Sequence, residues 1–416
     1  MRIAIIGFGA AAIGFIECLK DSKHEIHIFE KSKDVYSSSI SGIRADGKLF
    51  VSKEMGGNLD VDIQLQKDLV DYYIERTENR KYESGTSFAN KDIFKKFFAK
   101  GFQPIHSDFY HIGTDQLKQV LYNIYEDFNS HGNIHFHFNE TITDMEPIAN
   151  TVILSNRESF DTVVVAVGRS GQKLIKTIIG KFPELISDNS KVDLGVRMEL
   201  PDLIVEELNR EMYEFKLKYK SKTGYMVRTF CNNPGGYVVT ENYDDFVTVN
   251  GHSKLKEKSK NTNFAILTTV QLTHPFNDPI GFGSHIAKLT NLLAGKNKVI
   301  LQTYNNFKSS KRTKHLYRVF PTLEKDSYIL GDINLAYPRR IAESIIDFIE
   351  NLNEVVPGVA NDDNLIYAPE IKFYSNRLHN DHFYNLKFIG DCSGATRSII
   401  YATAHGWMMA EKILKG

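Results

Sequence analysis

The sequence predicts an α/β fold in which a parallel-sheet domain is interrupted by an inserted, largely antiparallel β-rich domain. Three observations support this prediction. A short apolar strand, a glycine-containing turn and a helix open the chain. The stretch "FDTVVVAVGRSG" has the continuous apolar run of a strand that is buried on both faces of a parallel sheet. Between about Val192 and Lys325, strand-like segments alternate with turn signals, which is typical of antiparallel structure.

The first strand, Arg2 to Ile6, leads into Gly7-Phe8-Gly9-Ala10-Ala11-Ala12, which matches the pattern G-x-G-x-x-A. In this pattern the first small residue permits a tight turn, the second admits a pyrophosphate, and the third allows close helix–strand packing. We expect a helix over about Ala10 to Lys20, whose first N–H groups face the phosphates. Glu30 ends the second predicted strand, where a carboxylate accepts hydrogen bonds from ribose hydroxyls. The opening segment therefore predicts a dinucleotide site.

Two other interpretations of this segment remain open. The apolar start could be a secretory signal with Ala10-Ala11-Ala12 as its cleavage box, but glycines at 7, 9 and 14 weaken an apolar helix and a strand pattern follows. The turn could also belong to a βαβ unit that binds no ligand. The ordered succession of strand, loop, helix, strand and acid favours the dinucleotide site over both.

The composition sets limits on function. The chain has 416 residues, 42% of them hydrophobic and 25% charged, which suits a globular protein of two or three domains. Lys+Arg and Asp+Glu number 51 each, so overall charge draws the protein neither to nucleic acid nor to an anionic membrane. No apolar stretch has the length of a membrane span. The cysteines, Cys18, Cys231 and Cys392, have no metal-ligand spacing, so we expect a cytoplasmic protein without a metal site.

After the β-rich region the chain returns to α/β character. It closes with a strand, the turn "FIGDCSG" and a long helix, and Asp391 in that turn is placed to bind a polyol hydroxyl or water at a phosphate. The predicted boundaries are residues 1–190 for the first part of the nucleotide domain, 191–327 for the inserted domain and 328–416 for the return segment.

The chain resembles a family of FAD-dependent dehydrogenases among the two-dinucleotide-fold flavoproteins of the glutathione-reductase type. The stretches that carry the resemblance run in the family's order: "SGIRADGKL", "YHIGTDQL", "VVVAVGRSG", "LGVRMELP", "RTFCNNPGGYVV" and "GDCSGATRSIIYATAHGWMMAEKI". The resemblance implies a Rossmann-like FAD-binding domain, with the inserted domain covering the flavin face and selecting the substrate.

It also implies roles for particular residues. Gly7, Gly9 and Ala12 would hold the pyrophosphate, Glu30 the ribose, and Asp391 the ribityl–pyrophosphate region. The backbone of Ile142 would face the adenine, and residues 394–396 would approach the pyrimidine edge of the flavin. The helix after Gly394 would favour a reduced, anionic ring. The full predicted set of cofactor residues is Gly7, Gly9, Ala10, Ala11, Ala12, Glu30, Lys31, Gly42, Ile142, Ala166, Gly168, Gly390, Asp391, Gly394, Ala395 and Thr396.

The chain departs from the family pattern in two places. Ala12 stands where the third glycine is usual, and the stretch Cys231 to Gly236 carries a single cysteine, which argues against a dithiol role. Gly281-Phe282-Gly283 lacks the leading strand and the following acid of a second nucleotide site. NAD(P)H is therefore expected only as a transient reductant at the flavin face.

Three residues are candidates for contact with the substrate or the flavin, each with a plainer alternative. Lys48 could meet the flavin or a substrate anion, or be a solvated loop residue. Arg197, which shares a strand face with Glu199, could line the substrate pocket or form a structural ion pair. Arg397 could attract an acidic substrate or line the flavin site. For Cys231, Cys392 and His405, packing is the favoured interpretation.

These observations predict an FAD-dependent oxidoreductase that transfers hydride at the flavin face to or from a small-molecule substrate. One alternative is a flavoprotein that acts on RNA through the basic segment "KSSKRTKH", residues 308–315, although nucleic acid is not the expected partner. Another is a flavin-binding regulatory protein without turnover.

Overall fold

The structure is a computed structural model that describes residues 1–35, 47–80, 82–188, 191–212, 215–243, 245–253, 257–273, 275, 278–374 and 377–415. The chain divides into two compact units. Unit 1 comprises Met1–Ser84, Ser107–Asn189 and Ser375–Gly416, and unit 2 comprises Gly85–His106 and Ser190–Tyr374. Among the described residues, no helix combines the length and the apolar character that crossing a bilayer would require.

This division differs from the predicted boundaries in two places. Residues 328–374, expected in the return segment, lie in unit 2, because β-strand and helix segments there complete its sheet and its core. Residues 85–106, expected in the nucleotide domain, also lie in unit 2, where Phe97 and Phe102 join the same core.

The strands follow one another in this order: β1 (Arg2–Ile6), β2 (Glu25–Glu30), β3 (Lys48–Val51), β4 (Glu83–Ser87), β5 (Phe102–Pro104), β6 (Ser107–His111), β7 (Ile134–Phe138), β8 (Met145–Ile148), β9 (Thr151–Leu154), β10 (Ser159–Phe160), β11 (Thr162–Val165), β12 (Ile186–Asp188), β13 (Lys191–Pro201), β14 (Leu217–Lys220), β15 (Met226–Asn233), β16 (Tyr237–Asn242), β17 (Val247–His252), β18 (Asn261–Gln271), β19 (Val299–Thr303), β20 (Tyr328–Leu330), β21 (Leu365–Phe373), β22 (Arg377–Leu378) and β23 (Leu386–Phe388). The α-helices are α1 (Ala10–Leu19), α2 (Ile63–Ile74), α3 (Lys91–Ala99), α4 (Thr114–Asn129), α5 (Gln172–Lys181), α6 (Asp202–Glu211), α7 (Pro279–Ala294), α8 (Tyr304–Lys308), α9 (Arg339–Asn353) and α10 (Ile399–Lys415).

Unit 1 is built on a five-stranded parallel sheet with the order β23-β11-β1-β2-β7. Its central strands are short apolar runs, and Ile3, Ala4 and Ile5 of β1 are fully buried, as expected for a sheet covered on both faces. The residues of β8, β9 and β10 form a separate antiparallel sheet. The α/β fold class predicted from the sequence is confirmed.

Helices α1 and α10 cross in unit 1 with their backbones in contact. A Cβ atom at Gly14 would lie 1.9 Å from the Thr403 carbonyl oxygen, and one at Gly406 would lie 1.9 Å from the Ala11 carbonyl oxygen. Only glycine permits this approach at either position. The predicted dinucleotide turn lies at the start of α1. By packing against α1, helix α10 therefore also holds that turn in position.

Unit 2 is built on an eight-stranded sheet with the order β20-β19-β21-β13-β18-β15-β14-β5, in which the β19–β20 pair is parallel and the other neighbours are antiparallel. The two faces of β13 differ, since side chains alternate along a strand. Val192, Leu194 and Val196 pack into the apolar core with α6, α7 and α9. Asp193, Arg197 and Glu199 are buried on the other face.

Candidate functional site

The residues of the predicted dinucleotide site lie in unit 1 at one edge of the parallel sheet. Gly7 follows β1, Lys31 follows β2, Ala166 follows β11 and Gly390 lies just beyond β23. These strands are parallel, so their carboxyl ends meet at the same edge, where ligands of open α/β sheets bind.

The turn after β1 is tightly packed against the neighbouring chain segment. Gly7 has a φ of +95°, and a Cβ there would lie 3.0 Å from the Ala166 carbonyl oxygen of the neighbouring chain segment. Helix α1 begins at Ala10 with no side-chain cap and no acidic residue in its first turn. The first N–H groups of a helix have no partner within it. Within the part of the chain that the structure describes, this helix end therefore offers N–H donors that no side chain caps, beside a glycine turn.

Glu30 is buried at the end of β2 and already holds the turn. Its Oε2 accepts a hydrogen bond from the Phe8 N–H at 2.9 Å, and its Oε1 accepts from the Ser32 N–H at 2.9 Å and from the Ser32 hydroxyl at 2.7 Å. A carboxylate has about four acceptor positions, so these three bonds leave one position on Oε2. The adjacent Lys31 is exposed.

The chain after β7 borders the same strand end. The Glu140 N–H donates to the Glu30 carbonyl oxygen, and the Asn139 N–H donates to the Ser32 carbonyl oxygen. Ile142, predicted to face an adenine, follows in this segment, and its side chain packs in the core beside Phe29. Its side chain is thus committed to packing, which leaves its backbone for any ligand contact.

The turn after β23 approaches the start of α1. Gly390 has a φ of +69°, and a Cβ at this position would lie 2.7 Å from the Cβ of Ala11. The Gly390 N–H donates to Nδ1 of His405 at 3.1 Å. Burial lowers the pKa of His405 to about 4, so its imidazole is neutral and can accept this bond. His405, expected only to pack, therefore also positions the turn.

Asp391 faces two partners at this edge. Its Oδ1 accepts from the Thr396 hydroxyl at 2.8 Å, and its Oδ2 lies 3.3 Å from Nε of Arg169. Burial raises the pKa of Asp391, although Arg169, Thr396 and Arg397 partly oppose that effect. The carboxylate is therefore held at an energetic cost, which is common where a group serves a site.

The segment that joins Asp391 to α10 is anchored by contacts with the glycine pair Gly56-Gly57 and the neighbouring Asn58. Gly394 is left-handed with a φ of +73°. The Asn58 N–H donates to the Ala395 carbonyl oxygen at 2.9 Å, and the Arg397 N–H donates to the Gly56 carbonyl oxygen at 2.7 Å. A Cβ at Gly57 would lie 2.2 Å from the Ala395 carbonyl oxygen. Helix α10 begins at Ile399, so it starts later than the expected helix after Gly394.

The three predicted substrate contacts have different surroundings. Lys48 is buried on β3, opposite His111 of β6, so the solvated-loop alternative for it is wrong. Arg397 follows the anchored segment and is exposed. Gly42, a predicted cofactor residue rather than a substrate contact, lies outside the described residues.

Arg197 lies in unit 2 with its side chain fully buried. Its guanidinium makes a bidentate pair with Glu370, with Nε to Oε2 at 2.8 Å and Nη2 to Oε1 at 2.9 Å. Its remaining N–H groups reach Asn263, the Cys231 carbonyl oxygen and Asn250. A guanidinium has five donors, so none is left for a substrate. This geometry matches the structural ion pair rather than the predicted catalytic role.

Cys18 and Cys392 do not have the surroundings of reactive thiols. Cys392 is fully buried, and its Sγ donates to the Val165 and Ile389 carbonyl oxygens. Burial raises the pKa of Cys392 to about 12 and that of Cys18 to about 11. Neither thiol is a thiolate at neutral pH, which is the reactive form.

The basic segment 308–315 is not a uniform cationic surface. Lys308 pairs with Glu350 at 2.7 Å. Thr313 is fully buried, and its hydroxyl accepts from the Thr303 N–H. Part of this segment is therefore structural.

Several residues of this edge were not predicted from the sequence. Ser32, Arg169, His405 and the pair Gly56-Gly57 each hold a predicted residue in place. Gly56-Gly57 could have been noticed as a double glycine outside any repeat. Arg169 depends on a contact between distant segments, and the bonds of Ser32 and His405 depend on side-chain orientations that no sequence pattern marks. A cavity of about 480 Å³ in unit 1 borders Ser393, Ala395 and His405, but Gly7, Glu30 and Asp391 do not line it.

Comparison with known proteins gives one family match. A model described as "FAD-dependent protein, C-terminal domain-like" matches residues 192–372, which lie in unit 2. No curated protein matches the chain.

Solved structures match over nearly the whole chain at low similarity. A mutant of 2-methyl-3-hydroxypyridine-5-carboxylic acid oxygenase has a TM-score of 0.39 and 12% identity, covering 100% of this chain and 83% of its own. For 2,6-dihydroxypyridine-3-hydroxylase from Arthrobacter nicotinovorans the values are 0.40, 9%, 100% and 83%. For CtdE in complex with FAD they are 0.34, 10%, 99% and 84%. At these TM-scores the similarity does not transfer an activity, and the family match remains the informative comparison.

Proposed function

We propose that this protein is an FAD-dependent oxidoreductase that binds its cofactor along the carboxyl edge of the unit 1 sheet and acts on a small-molecule substrate. One observation carries the proposal: a tightly packed glycine turn with a positive φ, an uncapped helix start and a buried carboxylate converge at that edge. The match of residues 192–372 to a domain model of FAD-dependent proteins supports the choice of cofactor.

The donors at the start of α1 fit a pyrophosphate. Gly7, Gly9 and Ala10 to Ala12 would let backbone approach two phosphates closely, and the uncapped N–H groups would donate to their oxygens. Helix α1 has no acidic residue in its own first turn, so its side chains place no negative charge against the anion.

The surroundings of Glu30 fit an adenosine. The free acceptor position on Oε2 would take one ribose hydroxyl, since Phe8 and Ser32 occupy the other positions. The backbone near Ile142, and the chain from Ala166 to Gly168, would border the adenosine half. We assign Lys31, which is exposed, a contribution of positive charge near the phosphates.

The turn after β23 would meet the flavin half. Gly390 would admit the ribityl chain because it carries no side chain beside Ala11. Asp391 would accept a ribityl hydroxyl, with Arg169 and Thr396 holding its carboxylate in place. The Thr396 hydroxyl is engaged with Asp391, so residues 394–396 would approach the ring through their backbone. When bound, FAD would supply hydride and electron transfer.

Unit 2 is proposed as the part that selects the substrate. It consists of two segments that interrupt the chain of unit 1, and the second segment contains the residues that match the family model. Arg397 and Lys48 of unit 1 remain the proposed contacts to a substrate anion or to the ring. Arg197 is not included, because all five of its donors have protein partners.

The test begins with the purified full chain. We expect heat release followed by chromatography to yield FAD. The variant Glu30→Gln keeps the shape of the side chain but removes its charge. A hydrogen bond to a charged group contributes about 1.5–3 kcal/mol, so FAD affinity should fall roughly tenfold to a hundredfold. The matched control is Glu126→Gln on the exposed face of α4, which should leave affinity unchanged.

The possible outcomes separate the alternatives. Release of FMN alone, or of no flavin, would overturn the cofactor assignment. Equal FAD affinity in Glu30→Gln and wild type would remove Glu30 from the site. Bound FAD that neither NADH, NADPH nor a panel of metabolites reduces would favour the regulatory alternative. Co-purifying RNA that is lost on charge reversal of Lys311 and Arg312 would favour the RNA alternative.

A further inference from the structure

A cluster of histidines lies on the unit 1 sheet outside the proposed cofactor site. His27 of β2 and His135 of β7 are paired directly across the two strands. Glu25 precedes His27 by two residues and His137 follows His135 by two, so all four side chains share one face. Neither the dinucleotide pattern nor the family match involves these residues.

The side-chain atoms of three of these residues converge. One ligand atom from each of Glu25, His27 and His135 lies within 4.8 Å of the others. Oε1 of Glu25 lies 3.1 Å from Nε2 of His27 and 3.9 Å from Nε2 of His135. Ligand atoms at about 2.0–2.1 Å from a tetrahedral metal ion are separated by roughly 3.3 Å. The Glu25–His27 separation already approaches that spacing, and the other two separations must shorten for an ion to bind.

The fourth residue sets the orientation of the central imidazole. Nδ1 of His27 lies 3.0 Å from Nε2 of His137, which itself stacks on Phe29. Nε2 of His27 lies at hydrogen-bond distance from Oε1 of Glu25 in this structure; with the Nδ1 proton donated to His137, Nε2 would turn its lone pair to an ion shared with Glu25 and His135. Metal-binding histidines are commonly oriented by such a bond from the second ring nitrogen.

The carboxylate is divided between two partners. Oε2 of Glu25 lies 3.5 Å from Nε of Arg2, whereas Oε1 faces the two imidazoles. Arg2 also lies 3.9 Å from Glu158, which offsets part of its positive charge. One carboxylate oxygen therefore remains directed into the cluster.

We propose that Glu25, His27 and His135 form a binding site for a divalent transition-metal ion of the zinc class on the β2–β7 strand pair of unit 1. Two imidazole nitrogens and one carboxylate oxygen favour Zn²⁺ and its neighbours over Mg²⁺ or Ca²⁺, which prefer oxygen ligands. The site differs from the expectation of no metal site, because cysteine spacing carries no information on a cross-strand pair.

The cluster is accessible to an ion. The side chains of Glu25 and His135 are 46% and 42% exposed, whereas His27 is buried beneath them. Three protein ligands leave a fourth position for water, as in zinc sites that are open to solvent. His137 is a positioning residue, since it acts through the ring of His27.

The experiment titrates Zn²⁺ into the full-length protein after treatment with a chelator and measures heat and stoichiometry. The main variants are His135→Ala and Glu25→Gln, both at partly exposed positions where substitution opens no core. The control is His285→Ala, an exposed histidine on α7 of unit 2. The same titrations with Co²⁺ report direct coordination through its visible absorption.

We expect one Zn²⁺ per chain in the wild type and in His285→Ala. Affinity should fall at least tenfold in both main variants, and the tetrahedral Co²⁺ absorption should be lost. His137→Ala should weaken binding by about tenfold to a hundredfold, the usual effect of removing an orienting partner. Absence of stoichiometric Zn²⁺ binding in the wild type would overturn the proposal. So would equal binding by the wild type and His135→Ala.

Discussion

The edge of the unit 1 sheet and the polar face of the unit 2 sheet differ in how their polar groups are used. At the edge, Gly7 and Gly390 remove side chains so that backbone lies open to a ligand. On the face, Arg197 and Glu370 are large charged groups that satisfy one another in the interior. The sheet edge is built from backbone groups that no side chain covers, whereas the polar face is built from charged side chains that pair with one another. A buried charge is therefore not by itself a sign of a functional site.

The two regions also respond differently to pH. Burial raises the pKa of Asp391 at the edge, whereas the charges of Arg197 and Lys372 outweigh burial and lower the pKa of Glu370 on the face. A carboxyl group whose pKa is lowered by folding stabilises the folded state at pH values above its unfolded pKa. This contribution is lost as the pH falls through the folded pKa. A carboxyl group whose pKa is raised by folding instead destabilises the folded state at pH values above its unfolded pKa. Unit 2 should therefore be the unit that acid destabilises through this pair.

The comparison can be tested unit by unit because the protein has a single tryptophan, Trp407 on α10 of unit 1. Its fluorescence should follow the unfolding of unit 1, while circular dichroism follows both units. The predictions below use both signals and run from the largest expected effect to the smallest.

Gly406→Ala should have the largest effect. The new Cβ would lie 1.9 Å from the Ala11 carbonyl oxygen, so α10 must move away from α1. We expect a loss of roughly 4 kcal/mol or more in unit 1, among the largest effects of single substitutions, measured by urea unfolding with Trp407 fluorescence. The control is Gly180→Ala on α5, where nothing lies within 4 Å. It should change stability by about 1 kcal/mol or less, in the stabilising direction.

Arg197→Met should destabilise unit 2 by about 3–5 kcal/mol, because it leaves Glu370 buried without its main partner. The transition seen by circular dichroism should move, while the Trp407 transition and the FAD content stay close to wild type. The double variant Arg197→Met with Glu370→Met should recover much of the loss, since it removes both charges. Normal stability together with lost turnover would instead restore the catalytic assignment of Arg197.

Gly7→Ala and Gly295→Ala compare two glycines with nearly the same φ, +95° and +90°. Each should lose about 1–2 kcal/mol from the left-handed backbone alone. Gly7 also meets the Ala166 carbonyl oxygen at 3.0 Å, whereas Gly295 has open space around it. Only Gly7→Ala should therefore weaken FAD binding, as measured by fluorescence titration. A similar loss in Gly295→Ala would indicate a general effect on stability.

Asp391→Asn should have the smallest effect on stability. Because burial raises the pKa of Asp391, its ionisation costs more free energy in the folded protein than in the unfolded chain. The amide should stabilise unit 1 slightly at pH 7, by on the order of 1 kcal/mol, as it avoids burying the charge. The gain should disappear at acidic pH, where the wild-type carboxyl is also neutral. A loss of stability at pH 7 would show that the pair with Arg169 outweighs burial.

Much of the edge could be predicted from sequence because backbone chemistry dictates its residue types. Gly7 is required by a positive φ, and Glu30 ends a strand whose alternation is visible. What could not be predicted are the contacts that hold these residues. Ser32 lies only two residues after Glu30, and His405 lies on the helix that follows the Gly390 turn, but no local sequence pattern marks either bond.

The boundary of the β-rich unit was harder to predict for a related reason. The strand β21 lies beyond the expected end at residue 327, yet it pairs with β13 across more than 150 residues of chain. Strand pairing of this range depends on burial in the finished sheet. The role of Arg197 could not be decided for the same reason, since Glu370 lies on that distant strand.

The contact between α1 and α10 has a consequence for how the protein is made. Unit 1 is assembled from three separate segments, and both β23 and α10 belong to the last of them. A ribosome adds about 5–20 residues per second, so the glycine turn after β1 waits for its supporting helix while unit 2 emerges in full. Unit 2 can fold first, and the nascent edge of unit 1 is then the surface that a chaperone would have to shield.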